Sequence, residues 1–186
     1  MSKRLFLAIR IPIDENINAY LSEYKHQFEF AKMRWVDGDM LHLTLKFFGK
    51  VDSRRIDKLQ KSIELVLLRQ EKFNISITKL AVFGSKNTPK VLWWGITDEE
   101  FIKKLTTKLQ YEFDKLDFFA DRQNFVPHIT LARIITTNSG RFFQKQLRRF
   151  AVIEPIEIPV SRIVLLESRP TNRNPEYIEV SDYELV

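Results

Sequence analysis

The stretches HLTL at 42–45 and HITL at 128–131 place two of the chain's three histidines in nearly the same four-residue frame. Ten of the 186 residues are Thr, so two of three histidines meeting a Thr two places on is roughly a one-in-a-hundred accident. An internal repeat explains the coincidence better, and the rest of the chain can be searched for it.

The two histidines lie 86 positions apart. At that offset LFLAIR (5–10) falls on VLWWGI (91–96), two apolar runs that read as strands. DENINAYLSEYKHQFEF follows the first, with Ile17, Tyr20, Leu21, Tyr24 and Phe28 at helical spacing. TDEEFIKKLTTKLQYEF follows the second, with Phe101, Leu105, Leu109 and Phe113, and with Thr97 and Glu100 spaced as a capping box. Beyond the histidines, Asp52 and Ser53 open a helix bearing Ile56, Leu59, Ile63, Val66 and Leu67. NSGRFFQKQLRRF opens its counterpart. KFNISITKLAVF and EPIEIPVSRIVLLES then alternate as half-buried strands.

Each half thus reads strand, helix, His-bearing strand, helix, strand. The halves run about 1–86 and 87–172, with a last strand around EYIEV in the tail. SKNTPK (85–90) reads as the crossing between them. The expectation is a single α+β domain over 1–186, bilobal and pseudo-two-fold, with antiparallel sheets lining a central cleft and helices outside.

Composition narrows the chemistry. Cysteine is absent, which removes disulfides, thiolate metal sites and cysteine nucleophiles together. No apolar run is long enough to span a bilayer, and Arg10 interrupts the apolar start. The expected location is the cytoplasm. A net charge of +6 favours a polyanionic partner. The charge is spread over SRR (53–55), RRF (148–150) and SRPTNR (168–173) rather than gathered in a tail.

In a strand, residues two apart share a face. His42 and Thr44 therefore point one way while Leu43 and Leu45 point into a core, and His128 and Thr130 do the same against Ile129 and Leu131. If the halves pair about a pseudo-two-fold, two imidazoles and two hydroxyls converge on one cleft. Imidazole serves as acid or base near neutral pH. One ring can take a proton from attacking water while the other gives one to a departing alkoxide, which is what displacement at phosphorus needs. The Thr hydroxyls can hold nonbridging phosphate oxygens. Nothing in this scheme calls for a metal or cofactor, and a zinc site on His42 and His128 lacks an evident third ligand.

HLTLKFFG and PHITLAR resemble the paired motifs of the two-histidine (2H) phosphoesterases, above all the RNA 2′,3′-cyclic phosphodiesterase branch, also known as 2′-5′ RNA ligase-like. The likeness runs through RLFLAIRIP, RWVDGDMLHLTLKFFG, VLWWGI, FVPHITLAR and IVLLESRPTNRNPEYIEV, nearly the whole chain. It implies hydrolysis of a terminal 2′,3′-cyclic phosphate to a 2′-phosphate, with His42 as proton donor, His128 as proton acceptor, and RNA 3′ ends or nucleoside 2′,3′-cyclic phosphates as substrates. The motifs themselves are too alike to assign the two roles. Arg133 is a candidate phosphate or base contact, although strict alternation turns it away from His128 unless a bulge swings it back. Phe48 and Trp93 could supply a base-stacking wall, but with 12% of the chain aromatic the expected fate of either is core packing, and His26 has no assigned role. RNPEY lacks a glycine before Tyr177, a departure from many relatives. Two other readings use the same cleft: a noncatalytic RNA-end-binding module, and 2′-5′ RNA ligation. The repeat supplies internally the two-fold a dimer would provide, so a monomer is expected.

Overall fold

The computed structural model describes residues 1–120, 125–171 and 175–186. Parts of SRPTNR and RNPEY therefore lie outside the described residues. In chain order the elements are β1 (Ser2–Arg10), α1 (Glu15–Gln27), β2 (Ala31–Trp35), β3 (His42–Asp52), α2 (Ser53–Leu67), β4 (Phe73–Gly84) and β5 (Pro89–Ile96). There follow α3 (Glu99–Asp114), β6 (His128–Thr137), α4 (Gly140–Arg149), β7 (Val152–Val160), β8 (Arg162–Arg169) and β9 (Glu176–Glu184).

Among the described residues, nine strands form one sheet in the order β7-β4-β5-β6-β3-β1-β8-β9, with β2 beside β6. All pairings are antiparallel. The order is a palindrome of the repeat. β6 and β3 meet at the centre, β5 and β1 flank them, and β4 and β8 come next. The central seam is thin, a single pairing of Leu43 with Ile129. The helices cover the face onto which Leu43, Leu45, Ile129 and Leu131 are buried. Phe28 of α1's C-cap packs on Phe143 of α4 at 5.0 Å, and α2 packs on α3. The expected duplicated α+β architecture is the one observed.

Local signals explain most helix starts. Asp14 accepts from the Ile17 amide, Asp52 from that of Arg54, and Ser139 from that of Phe142. The Thr97–Glu100 capping box does not form. Asp98 is the N-cap residue of α3, and its carboxylate accepts instead from the Ser76 amide and the Thr97 hydroxyl. A tertiary tie to β4 thereby outcompetes the local box.

Two further expectations change. SKNTPK is no crossing: Ser85–Thr88 is the turn of the β4–β5 hairpin, with Ser85 Oγ accepting from the Thr88 amide. The chain crosses the seam earlier, between α2 and β4, so β4 from the first sequence half lies beside β5, and β8 from the second lies beside β1. The first-strand alignment also slips by one residue. Ala8 pairs with Thr44 and Trp93 with Thr130, an offset of 85 rather than 86. Because side chains alternate, that single residue decides which of them face the cleft.

Candidate active site

His42 and His128 are the first residues of β3 and β6. Carrying the antiparallel register of Leu43 and Ile129 one residue each way sets His42 abreast of Thr130 and Thr44 abreast of His128. In an ideal antiparallel ladder such opposed side chains would stand about 5 Å apart at Cβ, and the diagonal pair about 7–8 Å apart. The four groups make a small square, wide enough across its diagonal for a phosphate. All four line one cleft of about 1170 Å³, together with Arg34, Lys46, Phe47, Phe83, Arg133 and Tyr177.

Each imidazole is held in the same way. His42 Nδ1 lies 2.7 Å from the Met40 carbonyl, and His128 Nδ1 lies 2.8 Å from the Val126 carbonyl. A carbonyl only accepts, so Nδ1 carries the proton and Nε2 is left as the chemically available nitrogen. Two aromatic neighbours surround each ring. Phe6 and Tyr177 stand 5.1 and 5.2 Å from His42, and Phe83 and Trp93 stand 4.9 and 5.9 Å from His128. Burial pushes both imidazoles below the ordinary value of 6.5, against the opposing pull of the carbonyl hydrogen bonds. The Arg10 cation and His128 lower His42 further.

Arg133 reaches the cleft because β6 bulges. Leu92 pairs with Ala132 and Trp93 with Thr130, which leaves Leu131 as the extra residue. Leu131 and Ala132 are both buried in the core, and alternation resumes with Arg133 on the face of His128 and Thr130. β3 carries the same bulge at Leu45, between the Lys46–Leu7 and Thr44–Ala8 pairings. It turns Phe47, the counterpart of Arg133, into the cleft with 58% of its surface exposed.

Phe48 and Trp93 take the core-packing alternative rather than forming a stacking wall. Phe48 packs in the core against Phe113 and Phe118 at 4.9 and 5.4 Å. Trp93 is beside His128 but nearly covered by Phe83, stacked on it at 4.6 Å. Phe47, Phe83 and Tyr177 line the cleft together with Trp35, Phe113 and Phe125, and Arg34 joins Arg133 there. The bulge signal that would have identified Phe47 lies in strand pairing, which the linear motif does not carry. His26 is exposed on α1, 3.8 Å from Glu29. Among the described residues, no cluster of three or more His, Cys, Asp or Glu side chains is placed to hold a metal ion.

Known proteins share both the fold and the sequence frame. A Methanothermobacter thermautotrophicus protein named RNA 2′,3′-cyclic phosphodiesterase is 28% identical across the full length of both chains. A Bacillus subtilis protein of the same name is 26% identical, with 95% of this chain and 94% of its own covered. A Thermus thermophilus crystal structure superposes with a TM-score of 0.81 at 23% identity, covering 98% of this chain and 97% of its own. Escherichia coli LigT bound to 3′-AMP superposes at 0.75 and 22%, covering 100% and 99%. The model of the 2′-5′ RNA ligase superfamily matches residues 13–172, which takes in both His-x-Thr motifs, and the chain belongs to that superfamily.

Proposed function

We propose that this protein hydrolyses RNA-terminal 2′,3′-cyclic phosphate to a 2′-phosphate by paired histidine acid–base catalysis, without a metal or cofactor. The observation that carries the reading is the square of His42, Thr44, His128 and Thr130 across the seam. Relatives named RNA 2′,3′-cyclic phosphodiesterase along the whole chain support it.

A cyclic phosphate seated in the square has one imidazole on either side, as in-line displacement requires. His128 Nε2 accepts a proton from water as its oxygen bonds to phosphorus. The bond from phosphorus to the 3′ oxygen breaks, and His42 gives that oxygen its proton. The products are a 2′-phosphomonoester and a 3′-hydroxyl, and the next turnover needs only a proton passed from His128 back to His42 through solvent. Each acid–base group contributes roughly 10²–10⁴-fold. Thr44 and Thr130 donate hydrogen bonds to the nonbridging oxygens, which carry more charge in the transition state. The Nδ1–carbonyl bonds hold both rings so that Nε2 does the chemistry.

The assay is incubation with a nucleoside 2′,3′-cyclic phosphate in EDTA, followed by identification of the product isomer. A 2′-phosphate is expected. A 3′-phosphate would reverse the leaving group, and loss of turnover in chelator would overturn the metal-free scheme. Binding of phosphorylated ends without turnover would favour an end-binding module instead.

A further inference from the structure

The two histidines are held with unequal help. Each ring is fixed by a backbone carbonyl two residues earlier, so the steadiness of that peptide sets where Nε2 points. Met40 belongs to the 3₁₀ turn Gly38–Met40, which buries none of its three residues and receives no side-chain capping bond from its N-cap residue Asp37. Such a turn has little of its own to keep it in place. Arg10 supplies a tie. Its Nη1 donates to the Asp39 carbonyl at 3.3 Å, one residue before the carbonyl that holds His42.

Arg10 stands directly opposite His42 across the β1–β3 pairing, so the two side chains share the cleft face of the sheet. Its Nε lies 3.0 Å from one Glu179 oxygen on β9, an ion contact off the line of the N–H. The other Glu179 oxygen lies 3.6 Å from Nη1 of Arg162 on β8, which anchors the carboxylate between two guanidinium groups. Two residues before Glu179, on the same face of β9, is Tyr177, whose ring stands 5.2 Å from that of His42. The last strand thus steadies His42 twice, by the Tyr177 ring and through Glu179, Arg10 and the turn.

The second copy lacks this arm. Gly95 stands opposite His128 where Arg10 stands opposite His42, and the slot is filled by the stem of Lys79, whose Nζ turns away to Glu99 at 2.7 Å. The difference suits the chemistry. A cation beside a group that gives up its proton favours the release, and the same cation beside a base would oppose uptake. Facing His42 are the Arg10 cation from β1, His128 from β6 and the Tyr177 phenol from β9. Against the Met40 hydrogen bond, burial and then the Arg10 and His128 charges push the His42 imidazole down.

We propose that Arg10 is a positioning residue for the reaction: it clamps the 3₁₀ turn so that the Met40 carbonyl holds the His42 ring with Nε2 toward the leaving oxygen, and Glu179 keeps the clamp aligned. This rests on the acid–base reaction proposed above.

The chain has three histidines, so long-range proton–nitrogen NMR correlations can resolve the tautomer of each neutral ring. His42 and His128 should both carry the proton on Nδ1. Arg10→Gln should turn His42 toward a mixture of tautomers and leave His128 unchanged. The same variant should lower kcat on a nucleoside 2′,3′-cyclic phosphate by about tenfold or more, with KM within about twofold. Arg10→Lys separates charge from geometry: it should keep the wild-type pH profile and still lose kcat, because an ammonium lacks the guanidinium fork. Glu179→Gln should show a weaker form of the same loss, and Arg141→Gln, on the exposed side of α4, should show none. A wild-type His42 tautomer in Arg10→Gln and Arg10→Lys, or an altered one with kcat unchanged, would overturn the proposal. A wild-type protein without turnover, whose His42 tautomer still follows Arg10, would overturn the reaction and leave the clamp standing.

Discussion

Residues 40–47 and 126–133 are one device built twice, and the copies differ past the bulge. Each has a carbonyl two residues before a histidine, a Thr two residues after it, and a bulge at the next aliphatic residue. On the proposed mechanism the parts that would face the phosphorus are the same, because in-line displacement needs a group on each side. Past the bulge the copies part: Phe47 on one side of the cleft, Arg133 on the other. A nucleotide is not symmetric, and a cleft that holds one in a fixed direction has reason to make its arms unlike. A second asymmetry lies behind the rings. Arg10 pairs with His42 in the sheet, whereas Gly95 pairs with His128. The bare Cα at Gly95 is covered by the stem of Lys79, so closely that an added Cβ would collide with Lys79 Cε.

If the two copies share one transition state, their histidines fail together. His42→Ala and His128→Ala should each cut kcat by about 10²–10⁴-fold or more, and the double variant should be little worse than either single one. Single-turnover rates on a cyclic nucleotide measure this, and near-wild-type activity in His42→Ala would break the comparison outright. Thr44→Ala and Thr130→Ala test the next layer. Each should lose about 10²-fold in kcat with a smaller change in KM, since the hydroxyls act most on charge that develops in the transition state. A large loss at one Thr and none at the other would show that the square is not used evenly.

Acidity sharpens the comparison further. Both imidazoles titrate below the usual 6.5. As the proposed base, His128 must be unprotonated, so the acid limb of kcat/KM should fall below pH 6.5. As the proposed acid, His42 must be protonated, so kcat/KM should already be declining as pH rises past 6.5. A bound phosphate anion favours the charged ring. The basic limb of kcat should accordingly lie at higher pH than that of kcat/KM. A kcat/KM that stays flat from pH 6 to 8 would rule out free histidines with lowered pKa values. Arg10→Gln should move the basic limb upward, because its cation is one of the charges holding His42 down.

The smallest effect tests the unlike arms. Phe47→Ala removes an exposed ring in the cleft and should raise KM for a cyclic nucleotide by several-fold to tenfold with little change in kcat, stacking on a base being worth about 1–3 kcal/mol. An unchanged KM would mean that the base lies elsewhere, with Phe83 the next ring to test.

Much of this was legible in the chain as written. The helix faces follow from 3.6-residue spacing, and the buried Ile17, Leu21 and Tyr24 or Leu105, Leu109 and Phe113 are the ones the spacing marks. The four His and Thr side chains that line the cleft were visible because histidine and threonine two apart in a strand share a face. Composition favoured core packing for Phe48, as observed, but did not point to Phe47. Counting along a strand assumes unbroken alternation, and the bulge at Leu45 breaks it, so that Phe47 faces the cleft and Phe48 the core. The Thr97–Glu100 box failed because Asp98 is engaged by Ser76 on a distant strand.

The sequence by itself determined the duplicated plan, the alternation of strand and helix, and the pairs His42–Thr44 and His128–Thr130. Those features are local, written in side-chain period and in short-range spacing along one chain. The tertiary structure alone decided that the last strand of each half lies across the seam, that Leu43 meets Ile129 and closes the square, and that bulges bring Phe47 and Arg133 into view beside Arg34. Strand neighbours and register are set by backbone hydrogen bonds between segments far apart in the chain, and one residue of slip there turns every side chain to the other face.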